Sequence, residues 1–184
     1  MKYQELIQAA LDCGAAKAAI IPKEAIVVSA DFRAICEGNG CGRYGKCYMC
    51  PPHVGPIDEL MGRVRSYERG LLYQTIGELE DSFDIEGMQE AGRAHAQMGQ
   101  RLRDALEPML KERLHLSSGG CGLCEVCGQQ TNEPCRYPDR ALPSMESYGI
   151  DVYNTTKDTE LKYINGSNTV TFFGLVLFSE DEDA

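Results

Sequence analysis

Apolar residues along this chain recur at helical spacing in three segments. Positions three and four residues apart predict a short helix over residues 3–13 and a second over Ile57–Tyr67, which Pro56 opens. The clearest helical pattern covers Asp84–Leu114, where Pro108 is expected to kink or split the helix. A short helix is also expected over Pro143–Tyr148, capped by Gly149.

Other apolar runs are short and rich in β-branched and aromatic residues, which favours strands. The predicted strands are Lys17–Ile21, with a turn or a second short strand over Ala25–Ser29, then Gly70–Ile76 and Thr169–Phe178. Because strands alternate loosely with helices, the expected fold class is α+β, with a small sheet and helices packed on one face. Residues 1–184 are expected to form one domain, with an acidic tail at 179–184.

Two segments follow neither period, the first cysteine loop (residues 36–56) and the second cysteine loop (residues 117–143). Both are rich in Cys, Gly and Pro and poor in apolar side chains. Eight of the nine cysteines fall in these two loops, whereas Cys13 stands alone. Clustered cysteines in a chain without a secretory leader are typical of metal binding rather than of disulfides.

Composition narrows the possible partners. The formal net charge of −10 disfavours nucleic acid, since an acidic surface repels phosphates. No run of about 18 apolar residues is present, so no membrane-spanning helix is expected. The first residues lack the pattern of a signal peptide, so the expected compartment is the cytoplasm.

The second cysteine loop carries the stronger metal signal. Its cysteines follow a C-x2-C-x2-C run closed by a fourth, remote cysteine: Cys121, Cys124, Cys127 and Cys135. This spacing resembles that of ferredoxins, which bind [4Fe–4S] clusters. A structural zinc ion is the main alternative, although zinc sites usually use two separate C-x2-C pairs. The third interpretation is that these cysteines are thiols that bind no metal.

The first cysteine loop has a less common spacing, with ligand candidates Cys36, Cys41, Cys47 and Cys50. Pro51 follows the last of them, as proline often follows a cluster ligand. An iron–sulfur cluster is again the favoured interpretation, with zinc as the alternative. If Cys47 points away, three thiolates would leave one iron open to substrate.

Several polar residues close to the cysteines are candidates for a supporting role. His53 is a candidate ligand, proton donor or plain loop residue, and Tyr44 a candidate neighbour of the cluster. Arg136 and Arg140, with Glu146, could form an anion pocket, or Arg136 could donate hydrogen bonds to cluster sulfur. In the alternative interpretation, Arg136 and Glu146 pair and fix the loop.

Three groups of residues together resemble a known family. They are Cys36, Cys41, Tyr44-Gly45 and Cys50-Pro51-Pro52; the second cysteine run with Pro134-Cys135-Arg136-x-Pro138; and Ser144-Met145-Glu146-x-x-Gly149-Ile150-Asp151-Val152. From about residue 5 to residue 178, the chain resembles an uncharacterised family of predicted prokaryotic metal-binding proteins, common in anaerobes. The resemblance implies a first motif carried by Cys36, Cys41 and Cys50, and it supplies no reaction.

Three functional hypotheses follow. The first is a redox protein with two [4Fe–4S] clusters that transfers electrons to a partner protein in an anaerobic cytoplasm. The second is a small enzyme that binds a small-molecule substrate at an open iron held by Cys36, Cys41 and Cys50. The third is an interaction module whose loops are held by zinc. Phosphate-binding, dinucleotide-binding and nucleophile-elbow motifs do not occur in the sequence.

Overall fold

A computed structural model describes residues 2–180 and contains a four-stranded sheet with helices on both sides. The strands are β1 (Lys17–Pro22), β2 (Arg69–Glu78), β3 (Arg113–Leu116) and β4 (Thr169–Phe178). The α-helices are α1 (Lys2–Asp12), α2 (Asp31–Glu37), α3 (Ile57–Arg65), α4 (Ile85–Leu106) and α5 (Val152–Thr156). Most of the predicted acidic tail, residues 181–184, lies outside the described residues. Within residues 2–180, no helix combines the length and the apolar character needed to cross a bilayer.

The sheet is antiparallel throughout, in the order β1-β2-β4-β3. Its centre is the pairing of β2 with β4, which runs over ten residues of each strand. Successive side chains of these strands point to opposite faces, so Leu71 and Val176 enter one core and Leu72 and Leu175 enter the other. The apolar runs Leu71–Tyr73 and Phe173–Phe178 are continuous rather than alternating because both faces of the sheet are buried at these positions.

The two cores lie on opposite faces of the sheet. Helices α1 and α4 cover one face, where Leu6, Met98 and Leu102 are buried. Helix α3 and the segment from Met145 to Leu161 cover the other. The predicted α+β class is therefore confirmed. Helices α1 and α4 share one face, whereas α3 lies on the other, so the helices are not packed on one face only. The opposite face is also covered, because its own leucines need shielding from water.

Several elements differ from their prediction, and the helix predicted over Pro143–Tyr148 is a 3-10 turn of Glu146–Tyr148 that Gly149 caps. The long helix ends at Leu106, ahead of Pro108, and Arg113–Leu116 form β3 instead of its last turn. Proline cannot donate the helical hydrogen bond, and pairing with β4 gives these residues a strand partner. The helix predicted to reach Tyr67 ends at Arg65. Residues 25–29 form no strand; Val28 makes one isolated bridge, to Ile150. Helix α2 was not predicted.

The closest approach to a glycine in the strand pair β2–β4 is at Gly174. Gly174 lies opposite Tyr73, and a Cβ at this position would come 2.1 Å from the tyrosine ring. Tyr73 is fully buried, and its hydroxyl is 2.8 Å from Nε2 of His115. The ring therefore has little room to move away.

We predict that Gly174→Ala destabilises the fold by about 1–3 kcal/mol, the usual effect of overpacking a core. Gly62→Ala is the matched control, because no heavy atom lies within 4 Å of a Cβ there and Gly62 lies on the exposed side of α3. The control should gain roughly 0.5–1 kcal/mol from the better helix former. Urea unfolding of both variants checks this, and equal stability changes would contradict the packing argument.

Two histidines are buried beneath α4. His95 lies on that helix with its Nδ1 2.8 Å from Oγ1 of Thr75, and its ring stacks on Tyr73. This confirms the expectation that His95 is a hydrogen-bonded core residue. Burial lowers the pKa of His95 to about 4. Burial, and then the positive charge of Arg113, lower the pKa of His115 to about 3. Both rings are therefore neutral in the folded protein near pH 7.

We predict that the protein loses stability as the pH falls from about 6.5 to about 4. In this window unfolded His95 binds a proton that the folded protein excludes, so the free energy of unfolding falls by about 1.4 kcal/mol per pH unit for each such histidine. His95→Gln removes one such proton, so the slope of the unfolding free energy against pH should fall by about 1.4 kcal/mol per pH unit. Unfolding curves at several pH values measure it, and an unchanged slope would show that His95 is not buried neutral.

Candidate metal centre

The first cysteine loop is tied at both ends by Arg33. This residue lies on α2, three positions before Cys36, and its Nη2 donates to the carbonyl of Gly55 at 2.9 Å and to that of Ser147 at 3.4 Å. Within the loop, the Asn39 side chain accepts a hydrogen bond from the backbone of Tyr44. Cys36 thus lies on a helix rather than in the loop itself, and the irregular segment starts after Glu37.

The second cysteine loop is closed at its base by the backbone. Ser117 donates to the carbonyl of Pro143 at 2.8 Å and accepts from the amide of Met145 at 2.9 Å. Ser117 follows β3 directly, so the edge of the sheet holds the start of this loop. The two ends meet, and the intervening cysteines project from a closed Ω-shaped segment.

The two loops meet at the Cys47-x2-Cys50 pair. These are the most buried of the nine cysteines, at 1% and 9% exposed. A Cβ on Gly120 of the second loop would lie 3.3 Å from Sγ of Cys50, so glycine allows the close approach. The hydroxyl of Tyr48 donates to the carbonyl of Glu133 at 2.7 Å, which is a second link between the loops.

Cys47 is oriented toward the second loop. It lines a narrow recess, here called the sulfur recess, together with all four cysteines of that loop: Cys121, Cys124, Cys127 and Cys135. Free space in this recess is about 20 Å³, enough for about one water molecule. Five thiols of the chain therefore share one small volume.

Hydrogen bonds favour the thiolate form of Cys47. Its pKa lies well below the ordinary value, first because Cys50 donates to it, and then because the backbone N–H groups of Met49 and Cys121 also donate. Desolvation opposes this shift. The pKa of Cys50 is raised, because its proton is held in the bond to Cys47 and because it is buried. One proton is thus shared by the pair, on the Cys50 side.

The remaining cysteines of the first loop form a more open group. Cys36 lies near Cys41, which is exposed, and Cys41 in turn lies near Cys50. Burial and the charges of Cys41 and Glu146 raise the pKa of Cys36, whereas Arg33 lowers it. The structure therefore places the first-loop cysteines around two neighbourhoods, with the Cys47–Cys50 contact between them.

Of the charged residues predicted to support the cysteines, Glu146 and Arg136 lie near a thiol, and Arg140 pairs with a carboxylate of α4. Glu146 lies near Cys36, and burial raises the pKa of its carboxyl. Arg136 pairs with Glu133 rather than with Glu146, and its contacts with Cys124 and Glu133 raise its pKa. The predicted Arg136–Glu146 pair is therefore wrong, because Glu133 is only three residues away. Arg140 pairs with Asp104, so these two arginines do not form an open anion pocket.

The two aromatic candidates, His53 and Tyr44, both lie in the first loop. His53 is exposed and packs edge-to-face against Tyr48, with ring centroids 6.0 Å apart. Tyr44 is half-buried and its backbone closes a turn. For His53 the loop-residue interpretation fits this placement best.

Sequence reasoning overlooked Arg33, Arg43 and Tyr48. Arg33 could have been found, since its spacing of three from Cys36 would place both on one side of a helix. Arg43 lies near Cys50, and its side chain reaches within 3.5 Å of the Cβ position of Gly120. No local pattern marks this contact, which depends on the docking of two distant loops.

The comparisons with known proteins agree with this picture. Residues 19–178 match the family model described as "Predicted metal-binding protein (DUF2284)". The chain belongs to this family. No curated protein and no solved structure matches it. The family description supports a metal site and leaves both the metal and the reaction open, so the eight-cysteine ligand assignment stays a prediction.

The side chains of this family member fit a soft metal by their chemistry. Thiolates are the ligands preferred by zinc and by iron–sulfur clusters, and N–H donors around Cys47 stabilise the charged form that coordination needs. Across residues 2–180, however, no three His, Cys, Asp or Glu side chains converge closely enough to hold a single metal ion. The donor set therefore fits the soft metals that thiolates prefer.

We predict that Tyr48→Phe loosens the contact between the two loops. The variant loses the hydrogen bond to Glu133, worth about 1 kcal/mol, while the ring keeps its place against His53. Amide exchange in residues 128–135 should become roughly fivefold faster. Tyr44→Phe is the matched control in the same loop and should leave amide exchange in residues 128–135 unchanged. Equal effects of the two variants would contradict a role of the Tyr48 hydroxyl in joining the loops.

Proposed function

We propose that this protein binds two neighbouring [4Fe–4S] clusters and transfers electrons in an anaerobic cytoplasm. Cys121, Cys124, Cys127 and Cys135 would hold one cluster, and Cys36, Cys41, Cys47 and Cys50 would hold the other. The observation that carries the proposal is the sulfur recess, where Cys47 of the first loop meets all four cysteines of the second. Two centres at such a junction would be close enough for direct electron exchange.

A bound [4Fe–4S] cluster takes up and releases single electrons, at a potential set by its surroundings. This chain supplies those surroundings from its own residues. Arg136 beside Cys124 and Arg33 near Cys36 place positive charge next to the thiols, which favours the reduced, more negative state. Glu146 near Cys36 acts in the opposite direction. The two sites therefore differ in local charge, as a directional relay requires.

Burial at the loop junction supports the same role. Cys47 and Cys50 are almost excluded from water, and Tyr48 and Gly120 close the contact between the loops. Exclusion of water lowers the reorganisation that accompanies a change of charge and protects a cluster from hydrolysis. Cys41, by contrast, is exposed, so the first-loop site has the more open surface for exchange with a partner.

A second candidate function rests on the orientation of Cys47. Because this thiol lines the sulfur recess, three first-loop cysteines remain for their own centre: Cys36, Cys41 and Cys50. Three thiolates would leave one coordination position for a substrate. The protein would then be a small enzyme whose second cluster delivers electrons to the first.

We predict about eight irons and eight sulfides per chain after purification without oxygen. Cys124→Ala should retain about four irons, because it removes a ligand of the second site only. Cys13→Ala is the matched control, since this cysteine is remote from both loops in sequence and packs against the core beneath α1 and α4; it should retain all eight. About two zinc ions without sulfide would contradict the proposal and favour a zinc-held interaction module.

A double variant then assigns Cys47. If Cys47 belongs with the second loop, as its contacts suggest, adding Cys47→Ala to Cys124→Ala should leave the remaining four irons in place. Loss of these irons would make Cys47 a ligand of the first site and would exclude the open-iron enzyme. If they remain, 2-mercaptoethanol should alter the electron paramagnetic resonance spectrum of an open iron and leave that of a closed cluster unchanged.

A further inference from the structure

A large cavity adjoins the sulfur recess. Its volume is about 630 Å³, within the range of small-molecule sites. Met49 and Ala141 line both the cavity and the recess, so the two spaces share a wall. Met49 itself lies between Cys47 and Cys50 along the chain. A molecule in this cavity would therefore lie beside the candidate metal centre.

The wall of this cavity, here called the cationic cavity, is positive although the whole chain is acidic. Its charged lining comprises four cationic side chains and two carboxylates, Arg63, Arg103, Lys111, Arg113, Glu107 and Asp139. The local excess is thus two positive charges in a chain of net charge −10. Such an excess concentrates anions locally against the overall repulsion of the protein.

Two of these cations have local partners and two have no carboxylate partner. Arg113 pairs with Glu107, and Arg103 pairs with Asp104. Within residues 2–180, Arg63 and Lys111 form no ion pair; Arg63 interacts with the hydroxyl of Tyr148. Both are exposed, so their charges are accessible from solvent. They are the groups with which an anion can pair without breaking an existing bond.

A buried polar atom is also unsatisfied at this cavity. His115 lines it and is only 6% exposed. Its Nε2 pairs with the hydroxyl of Tyr73 at 2.8 Å, whereas its Nδ1 has no hydrogen-bond partner. A buried polar nitrogen without a partner costs about 1–3 kcal/mol. This nitrogen is itself inaccessible, so His115 forms part of the buried wall of the cavity rather than a contact for a bound molecule.

We infer that the cationic cavity binds a small organic anion bearing a carboxylate or phosphate group. The apolar side chains of Met49, Val54, Leu114 and Leu142 would contact the carbon part of the molecule, and Arg63 and Lys111 its charged end. That this anion is the substrate or electron acceptor of the neighbouring centre rests on the proposed function. Binding itself does not, since it needs no metal.

Calorimetric titration of the full-length, metal-loaded protein at low salt tests the inference. Glycerol 2-phosphate and succinate serve as the two probes, one for each anionic group. We expect saturable binding of at least one probe, with one site per chain. Arg63→Gln and Lys111→Gln should each weaken it roughly tenfold, because each removes a charge-assisted contact.

Arg65→Gln is the matched control, because Arg65 lies on the same helix and does not line the cavity. It should weaken binding less than twofold. If neither probe binds saturably, or if the control loses as much affinity as Arg63→Gln, the inference is overturned. Binding of one probe only supports it and identifies the anionic group that the site prefers.

Metal content measured on the same samples separates this result from the proposed function. Full iron and sulfide without anion binding would overturn the cavity inference alone. Anion binding in a protein that carries no iron would support the cavity and overturn the two-cluster proposal alone.

Discussion

The pairing of β2 with β4 is the constraint on which the rest of the structure depends. These two strands form the centre of the sheet and are buried on both faces, so their leucines and phenylalanines organise both cores. The burial of such side chains is the dominant favourable contribution to folding. Two elements that adjoin the cysteine loops are attached to this pair, since α3 leads into β2 and β3 adds to β4 before the second loop begins.

This central pair explains how two cysteine loops separated by 60 residues of sequence come together. The core on the α3 side of the sheet holds both α3 and the segment after Met145. Arg33 links the first loop to that segment by donating to the carbonyl of Ser147. The second loop is closed at Ser117, directly after β3. Two loops without a hydrophobic core of their own are thus positioned by their ends. Their mutual contacts, through Cys47, Cys50 and Tyr48, then fix the junction.

Charge is distributed unevenly around this junction. The chain is acidic overall, yet cations lie next to the thiols and line the adjoining cavity. Arginines near thiolates stabilise negative charge, and accessible cations in a concave wall favour anionic ligands. A metal centre and an anion site that share the wall at Met49 and Ala141 would form one functional unit.

The sequence by itself determined the fold class, most of the helices and strands, and the two groups of cysteines. Hydrophobic period is a local property, and it places strand β4 at Thr169–Phe178 without reference to any partner. The hydrophobic pattern predicted the wrong element at Arg113–Leu116, because pairing with β4 outweighs the helical pattern there. It also missed α2, because this helix buries no residue fully and shows no apolar stripe.

Only the tertiary structure decided which cysteines are neighbours. Spacing along the chain assigned Cys47 to the first loop, whereas its contacts are with Cys50 and with the second loop. The partner of Arg136 and the positive wall of the cationic cavity also depend on residues brought together from distant segments. Periodicity and motif spacing describe interactions within a few residues, and docking between loops is set by long-range packing that leaves no such trace in the sequence.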